Sequence, residues 1–214
     1  MLFNQGDPVG QGYVKSLARP GGNATGLSVF IRDLVIKHLQ MLTGMVATTP
    51  SRLAVLMNPG NRGHRKTFGH IQSVFGGTQT QVIPVEAGTA KDLESAGTRM
   101  AQEKARGFIW IADPLFDAQV RQIAEMAVRH RLLSIGENPT YAESGGLVSY
   151  GSRPRESWQR LATFADKIFK GANPGDLPVE QPTRIYLILN RKTASALGFT
   201  FSPEMLLLAD KVIE

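Results

Sequence analysis

The chain of 214 residues contains no cysteine. That absence removes disulfides, thiolate nucleophiles and cysteine-based zinc sites together. It does not fix the compartment, since many exported proteins also lack the residue. Aromatic residues are only 7% of the chain, and none alternates with the basic ones. A stacking platform for single-stranded nucleic acid needs that interleaving. No apolar run reaches the roughly 20 residues of a membrane-spanning helix. The histidines, His38, His64, His70 and His130, never share the i, i+4 spacing of a helical metal site, so surface or packing roles are expected and no metal. No Gly-x-Ser-x-Gly elbow is present, which leaves serine hydrolase chemistry without support. The opening string Met1-Leu2-Phe3-Asn4-Gln5-Gly6-Asp7 has no basic leader, no long apolar stretch and no small-residue cleavage site, so it does not read as a signal peptide.

The remaining composition is ordinary, with 42% hydrophobic and 20% charged residues. Such a chain buries a core, and its length allows one or two domains of roughly 100–200 residues each. The formal net charge of +6 is spread along the sequence, with short clusters at 62–66 and 129–131. Scattered solubilising charge, not a nucleic-acid interface, is the expectation.

Short apolar runs at 52–57, 81–85, 107–111, 132–135 and 184–189 predict strands covered on both faces. Pro84 puts the second of them at a sheet edge. Helical periods lie between: Leu93, Ala96, Met100 and Ala101 mark one face; Phe116, Val120, Ile123, Ala124 and Ala127 another. Trp158, Leu161, Ala162, Ala165, Ile168 and Phe169 follow the same spacing, and Gly171 stands where a helix end favours glycine. Ser202-Pro203 opens a last helix, with serine as cap and proline in the first turn. Alternation of strand and helix with short connections predicts an α/β fold with a mostly parallel sheet. Ligands in such sheets bind beyond the carboxyl ends of the strands. The residues there are Asn58-Pro59-Gly60-Asn61, Asp113-Pro114, Gly136-Glu137-Asn138 and Asn190. Two stretches stand apart from this pattern. Residues 1–28 are glycine-rich with one strand candidate at 24–28, and 145–182 combine a short strand, the Trp158 helix and a proline-rich connector.

Several segments suggest chemistry. Gly60-Asn61-Arg62-Gly63-His64-Arg65-Lys66-Thr67 resembles a phosphate-binding loop, with Asp113 as a second carboxylate ending an apolar strand. Arg65 replaces the glycine that such a loop needs before its lysine. A phosphate- or nucleotide-handling enzyme using Lys66 and Asp113 is therefore the alternative, and a plain strand–loop–helix turn the simpler reading. Asp113 is equally a ligand anchor or an N-cap for the following helix, and its two oxygens permit both. Tyr150 either stacks on a ligand or packs at a domain junction. The segment 20–26, with Asn23 and Thr25, is a ligand-facing loop or a turn before a strand.

Read in order, these segments resemble the ABC-type solute-binding family that includes tryptophan- and tyrosine-binding proteins. The matching strings are Gly6-Asp7-Pro8-Val9, Leu17-Ala18-Arg19-Pro20-Gly21-Gly22-Asn23, Ala54-Val55-Leu56-Met57-Asn58-Pro59, Asp113-Pro114-Leu115-Phe116, Gly145-Gly146-Leu147-Val148-Ser149-Tyr150-Gly151, Leu177-Pro178-Val179-Glu180-Gln181-Pro182-Thr183 and Asn190-Arg191-Lys192-Thr193. The resemblance implies a two-lobe periplasmic-binding-protein-like fold of type I. Residues 1–28 and 145–182 would form a partial amino lobe. Residues 29–144 and 183–214 would form a complete carboxy lobe, a parallel sheet with helices on both faces. Relatives carry roughly one small domain more at the start. The resemblance therefore implies a shortened form of an exported protein that is periplasmic or lipoprotein-anchored when full length. An incomplete amino lobe would also invite self-association.

The implied function is capture of a small solute, an amino acid or related organic molecule, for the membrane permease subunits of an ABC importer. No enzyme activity, no cofactor and no nucleic-acid partner is implied. Asp113 is expected as the polar anchor, with Asn58 and Glu137 beside it. Gly6, Asp7, Asn23, Thr25 and Tyr150 would face them. An aromatic amino acid is one solute the resemblance suggests, because some relatives bind these, but the string Ala112-Asp113-Pro114 departs from the Thr-Asp-Asn of aromatic binders in the family, which weakens the transfer of ligand identity.

Overall fold

The computed structural model describes residues 1–5, 8–28, 31–46, 51–182 and 184–214. In chain order the described elements are β1 (Leu2–Gln5), β2 (Gly26–Ser28), α1 (Ile31–Met45), β3 (Ser51–Met57), α2 (Arg62–Phe75), β4 (Thr80–Glu86), α3 (Asp92–Gln102) and β5 (Gly107–Trp110). Then come α4 (Pro114–Asp117), α5 (Val120–Arg129), β6 (Leu133–Gly136), α6 (Thr140–Glu143), β7 (Val148–Gly151), α7 (Pro154–Phe169), a 3-10 turn at Pro174–Asp176, β8 (Tyr186–Asn190), α8 (Arg191–Leu197), α9 (Pro203–Leu208) and β9 (Lys211–Ile213). The chain divides into two compact units, one of Met1–Ile31 with Ser152–Ile185, the other of Arg32–Gly151 with Tyr186–Glu214.

The larger unit holds a seven-stranded sheet in the order β4-β3-β5-β6-β7-β8-β9. Neighbours run parallel except β7 and β8, which are antiparallel. Leu53, Ala54, Val55 and Leu56 are all fully buried, as a continuous apolar run requires when both faces are covered. Ala54, Leu56, Phe108 and Trp110 pack with Leu93, Met100 and Ile123 in one cluster. Ile109 and Gly107 have the opposite parity. A Cβ on Gly107 would lie 3.1 Å from Leu42 Cδ1, so α1 covers that second face. Pro84 does sit in an edge strand, β4, paired only with β3, where a missing amide costs no ladder bond on the open side.

One turn of this unit demands glycine. A Cβ on Gly151 would stand 1.8 Å from the Glu137 carbonyl oxygen, so β7 passes directly against the loop that follows β6. This strand was expected with the smaller lobe. It belongs to the larger sheet instead, because Val148 pairs with Ile135 on one side and Leu189 on the other.

The smaller unit is spare. β1 and β2 form a two-stranded parallel sheet, and α7 packs on it through Leu27, Leu161 and Phe164. Backbone bonds tie the connector to the glycine segment. Glu180 N–H donates to Gly26 O at 2.9 Å, Ser28 N–H to Glu180 O at 2.8 Å and Val179 N–H to Leu17 O at 2.8 Å. The period of α7 was legible, but its apolar face is only partly used, since Trp158 is 58% and Phe169 89% exposed. Gly171 ends the helix with φ +94°, the left-handed conformation that glycine adopts without a Cβ penalty.

Candidate functional site

The carboxyl ends of β3, β5, β6 and β7 lie along one edge of the larger unit's sheet, because these strands are mutually parallel. That register brings Asn58, Asp113, Glu137 and Tyr150 to the same edge. Asn190 is not among them. β8 runs antiparallel to β7, so its carboxyl end is at the opposite edge. There Asn190 Oδ1 caps α8 by accepting from Thr193 N–H at 2.9 Å, and its Nδ2 donates to Ala142 O.

Asp113 is 5% exposed and holds the edge together. It caps α4, its Oδ1 accepting from Leu115 N–H at 3.0 Å. The same oxygen accepts from Asn58 Nδ2 at 3.0 Å, and Oδ2 accepts from Asn61 Nδ2 at 2.9 Å. Burial pushes its carboxyl up, but the bonds from Asn61, Asn58 and Leu115, aided by His64, outweigh that and hold it below the usual range. Three of about four acceptor positions are thus taken by protein donors. Asp113 is therefore a cap that also organises its neighbours.

His64 completes the network and was not anticipated as more than a packing residue. It is 3% exposed. Its Nδ1 accepts from Asn58 N–H at 2.9 Å, which leaves the proton on Nε2 facing Ala112 O at 3.1 Å. Nε2 is 3.5 Å from Asp113 Oδ2. Burial lowers its pKa, opposed by the Ala112 carbonyl and the Asp113 charge. The neutral ring is what the bond from Asn58 requires.

The loop that carries the phosphate-loop resemblance begins at the same residues. Asn61 is the N-cap of α2, its Oδ1 accepting from Gly63 N–H at 3.0 Å. A side chain therefore takes one of the amides that a phosphate would use. Arg65 and Lys66 point to solvent.

Glu137 differs from Asp113. It is half-buried with its pKa pushed up to about 7, first by burial and then by the charge of Asp117. Asp117 is itself pushed up by burial and by Asp113, although its side chain reaches solvent. The edge is thus an acidic slope running from Asp113 through Asp117 to Glu137. Tyr150 is half-buried beside it. Its carbonyl accepts from His38 Nε2 at 2.6 Å and its ring meets the His38 ring edge-on at 5.9 Å. Burial lowers the His38 pKa to about 4. His64, Asp117 and His38 were missed, and Asn61 was noted only for its position after a strand, because their roles depend on which strands are neighbours. The i, i+4, i+7 spacing of Val35, Leu39 and Leu42 could have revealed the helix that carries His38.

The remaining expected residues lie in the smaller unit. Thr25 is 1% exposed, and its Oγ1 donates to Leu177 O at 2.7 Å, so its one proton secures the connector. Asn23 is exposed. Gly6 and Asp7 lie outside the described residues.

A family model described as ABC transporter substrate binding protein matches residues 1–213. A tyrosine-binding protein of Clostridioides difficile is 21% identical over 192 residues, covering 89% of this chain and 54% of its own length. The chain thus spans about half of that curated relative. Among solved structures, a Vibrio cholerae conserved domain protein superposes with a TM-score of 0.84 at 23% identity, covering 97% of this chain and 69% of that one. A Streptococcus pneumoniae ABC domain in complex with L-Trp gives a TM-score of 0.82 at 20% identity over the same shares, 97% and 69%. At these identities the two structures establish the fold.

Proposed function

The chain belongs to the ABC transporter substrate binding protein family, and we propose that it captures a small solute bearing an ammonium group, an amino acid or a close relative of one, for the membrane subunits of an ABC importer. The observation that carries this reading is Glu137. A half-buried carboxyl whose pKa is about 7 is the group that a cation most improves. An ammonium replaces the missing counter-charge, draws the proton off and gains a charge-assisted hydrogen bond. Asp117 and Asp113 extend the same negative field and raise the local concentration of cations.

In this proposal Asp113 positions and Glu137 binds. Asp113 orients the Asn58 and Asn61 amides, and Asn58 Oδ1 is already engaged with Gly60 N–H at 2.9 Å, so Asn58 is a fixed rim. Tyr150 offers an aromatic surface whose backbone His38 fixes. Closure of two lobes around the solute, with Gly6, Asp7 and Asn23 on the far wall, is the finer part of the proposal. So is a location outside the cytoplasmic membrane for the full-length form. The tyrosine-binding relative and the L-Trp complex support starting with aromatic amino acids.

A thermal-shift panel of amino acids and small organic acids tests the reading, because a ligand of the native state raises its melting temperature. At least one amino acid is expected to raise it, and Glu137→Gln to erase the rise. A panel in which only solutes without an ammonium group stabilise the protein would overturn the role of Glu137.

A further inference from the structure

The parallel register that gathers polar residues at the carboxyl ends of the strands gathers cations at their amino ends. Arg106, which precedes β5, donates its backbone N–H to Arg52 O in β3 at 2.8 Å, and its own carbonyl accepts from Leu133 N–H in β6 at 3.1 Å. Arg131 stands just before β6. Three arginines far apart in sequence thus stand at the starts of neighbouring strands, which lie about 5 Å apart. Lys104 reaches the same edge from the end of α3, and Arg129 from the end of α5.

Carboxylates do not balance this charge. Arg52 holds Glu103 at 3.0 Å, and Glu94 is shared by Arg129 and His130. Lys104, Arg106 and Arg131 are exposed and make no ion pair among the described residues. Farther along the edge, Arg191 pairs with Glu214, and Lys192 adds another exposed cation.

Two of these cations occupy backbone positions that suit them poorly. Lys104 has φ 56° and Arg131 φ 55°, the left-handed conformation in which a helix end ordinarily carries glycine. A basic side chain gains something there from the helix dipole. Arg106 lies on no helix and gains nothing of the kind, so helix-end stabilisation does not account for the set.

The charges are spread over strand starts and helix ends, the geometry of a face that meets many anions at once. None of the mostly exposed aromatic side chains lies in this unit among the described residues, so bases would find no stacking platform. A surface of anionic lipid needs none, and the family works with a membrane transporter. We infer that the amino edge of the larger unit's sheet docks on anionic lipid headgroups, with Lys104, Arg106 and Arg131 against the phosphates. The edge that carries Asp113 and Glu137 is the opposite one and stays open. This inference rests on the proposed function only in setting the chain beside a membrane.

The test is flotation of the full chain with phosphatidylcholine vesicles, with and without phosphatidylglycerol. Binding is expected only with phosphatidylglycerol and should weaken steeply as salt is added. Lys104→Gly combined with Arg131→Gly removes two charges and suits the backbone at both positions. This variant should melt no lower than the parent chain and bind at least about tenfold more weakly. Arg65→Gln combined with Lys66→Gln removes as much charge from the other edge and should change binding by less than about threefold. Glu137→Gln should leave vesicle binding as it was, so this inference and the solute reading fail separately. Absence of binding at low salt, equal losses in the two double variants, or displacement of the vesicles by duplex DNA at equal phosphate concentration would overturn the inference.

Discussion

In the larger unit, strands β3 and β5 are covered on both faces, and Leu53, Leu56, Phe108 and Ile109 are entirely shielded from water. In the smaller unit, two short strands share one helix, and Trp158 and Phe169 remain mostly exposed. Both are α/β assemblies built largely on parallel strands, but their stability has different sources. The first rests on apolar burial. The second rests on a lattice of backbone bonds between the connector and the glycine segment, together with a small cluster that among the described residues includes Leu27, Leu161, Phe164 and part of Leu177. Packed interiors penalise every lost methylene; backbone lattices near solvent open locally at much lower free energy. The polar edge that we assign to solute capture therefore stands on the rigid half.

The contrast breaks most visibly under core truncation. Phe108→Ala is expected to cost about 3–5 kcal/mol in chemical denaturation. Phe164→Ala should instead speed amide exchange in the smaller unit while leaving protection in β3 and β5 nearly unchanged. Equal effects of the two variants on β3 and β5 would show that the units are not separately stabilised.

Acid provides the next test. His38 falls from 6.5 in the unfolded chain to about 4, so the unfolded state binds the proton first. The stability it contributes is complete above pH 6.5 and is lost as pH falls towards 4, by about 3 kcal/mol at most. His64 has the same sign. Glu137 has the opposite one: raised from 4.5 to about 7, it favours the fold below pH 4.5 and loses that contribution as pH rises through 7. Urea denaturation as a function of pH should show His38→Gln flattening the limb between pH 6.5 and 4, and Glu137→Gln flattening the limb between 4.5 and 7.

Smaller effects sharpen the picture of the lesser unit. Thr25→Val removes the donor to Leu177 O and should cost about 1–2 kcal/mol, read as faster exchange at Val179 and Glu180. The Arg160–Glu180 pair is partly exposed, at 44% and 35%. Despite its two bonds, Arg160→Met should cost about 1 kcal/mol or less.

Much of the larger unit was legible from its apolar runs, because a strand buried on both faces advertises itself without context. Pro84 at the edge and Ser202, whose Oγ accepts from Met205 N–H at 3.2 Å, were legible for the same local reason. β1 was not, since Leu2–Gln5 is short and half polar and becomes a strand only through Gly26 beside it. Asn190 was placed at the wrong edge because strand direction is a property of the partner. The expected site residues Asn58, Asp113 and Glu137 could be chosen from position after strands alone. The Asn61–Asp113–His64 network could not, because it forms only when β3 and β5 lie side by side.

Calorimetry of amino-acid binding near pH 7, in two buffers of different ionisation enthalpy, addresses the role of Glu137 directly. If an ammonium docks on a carboxyl that is half protonated, binding must release about half a proton, and Glu137→Gln must abolish that release along with most of the affinity. Binding that moves no proton, or that Glu137→Gln leaves as tight as before, would contradict the assignment.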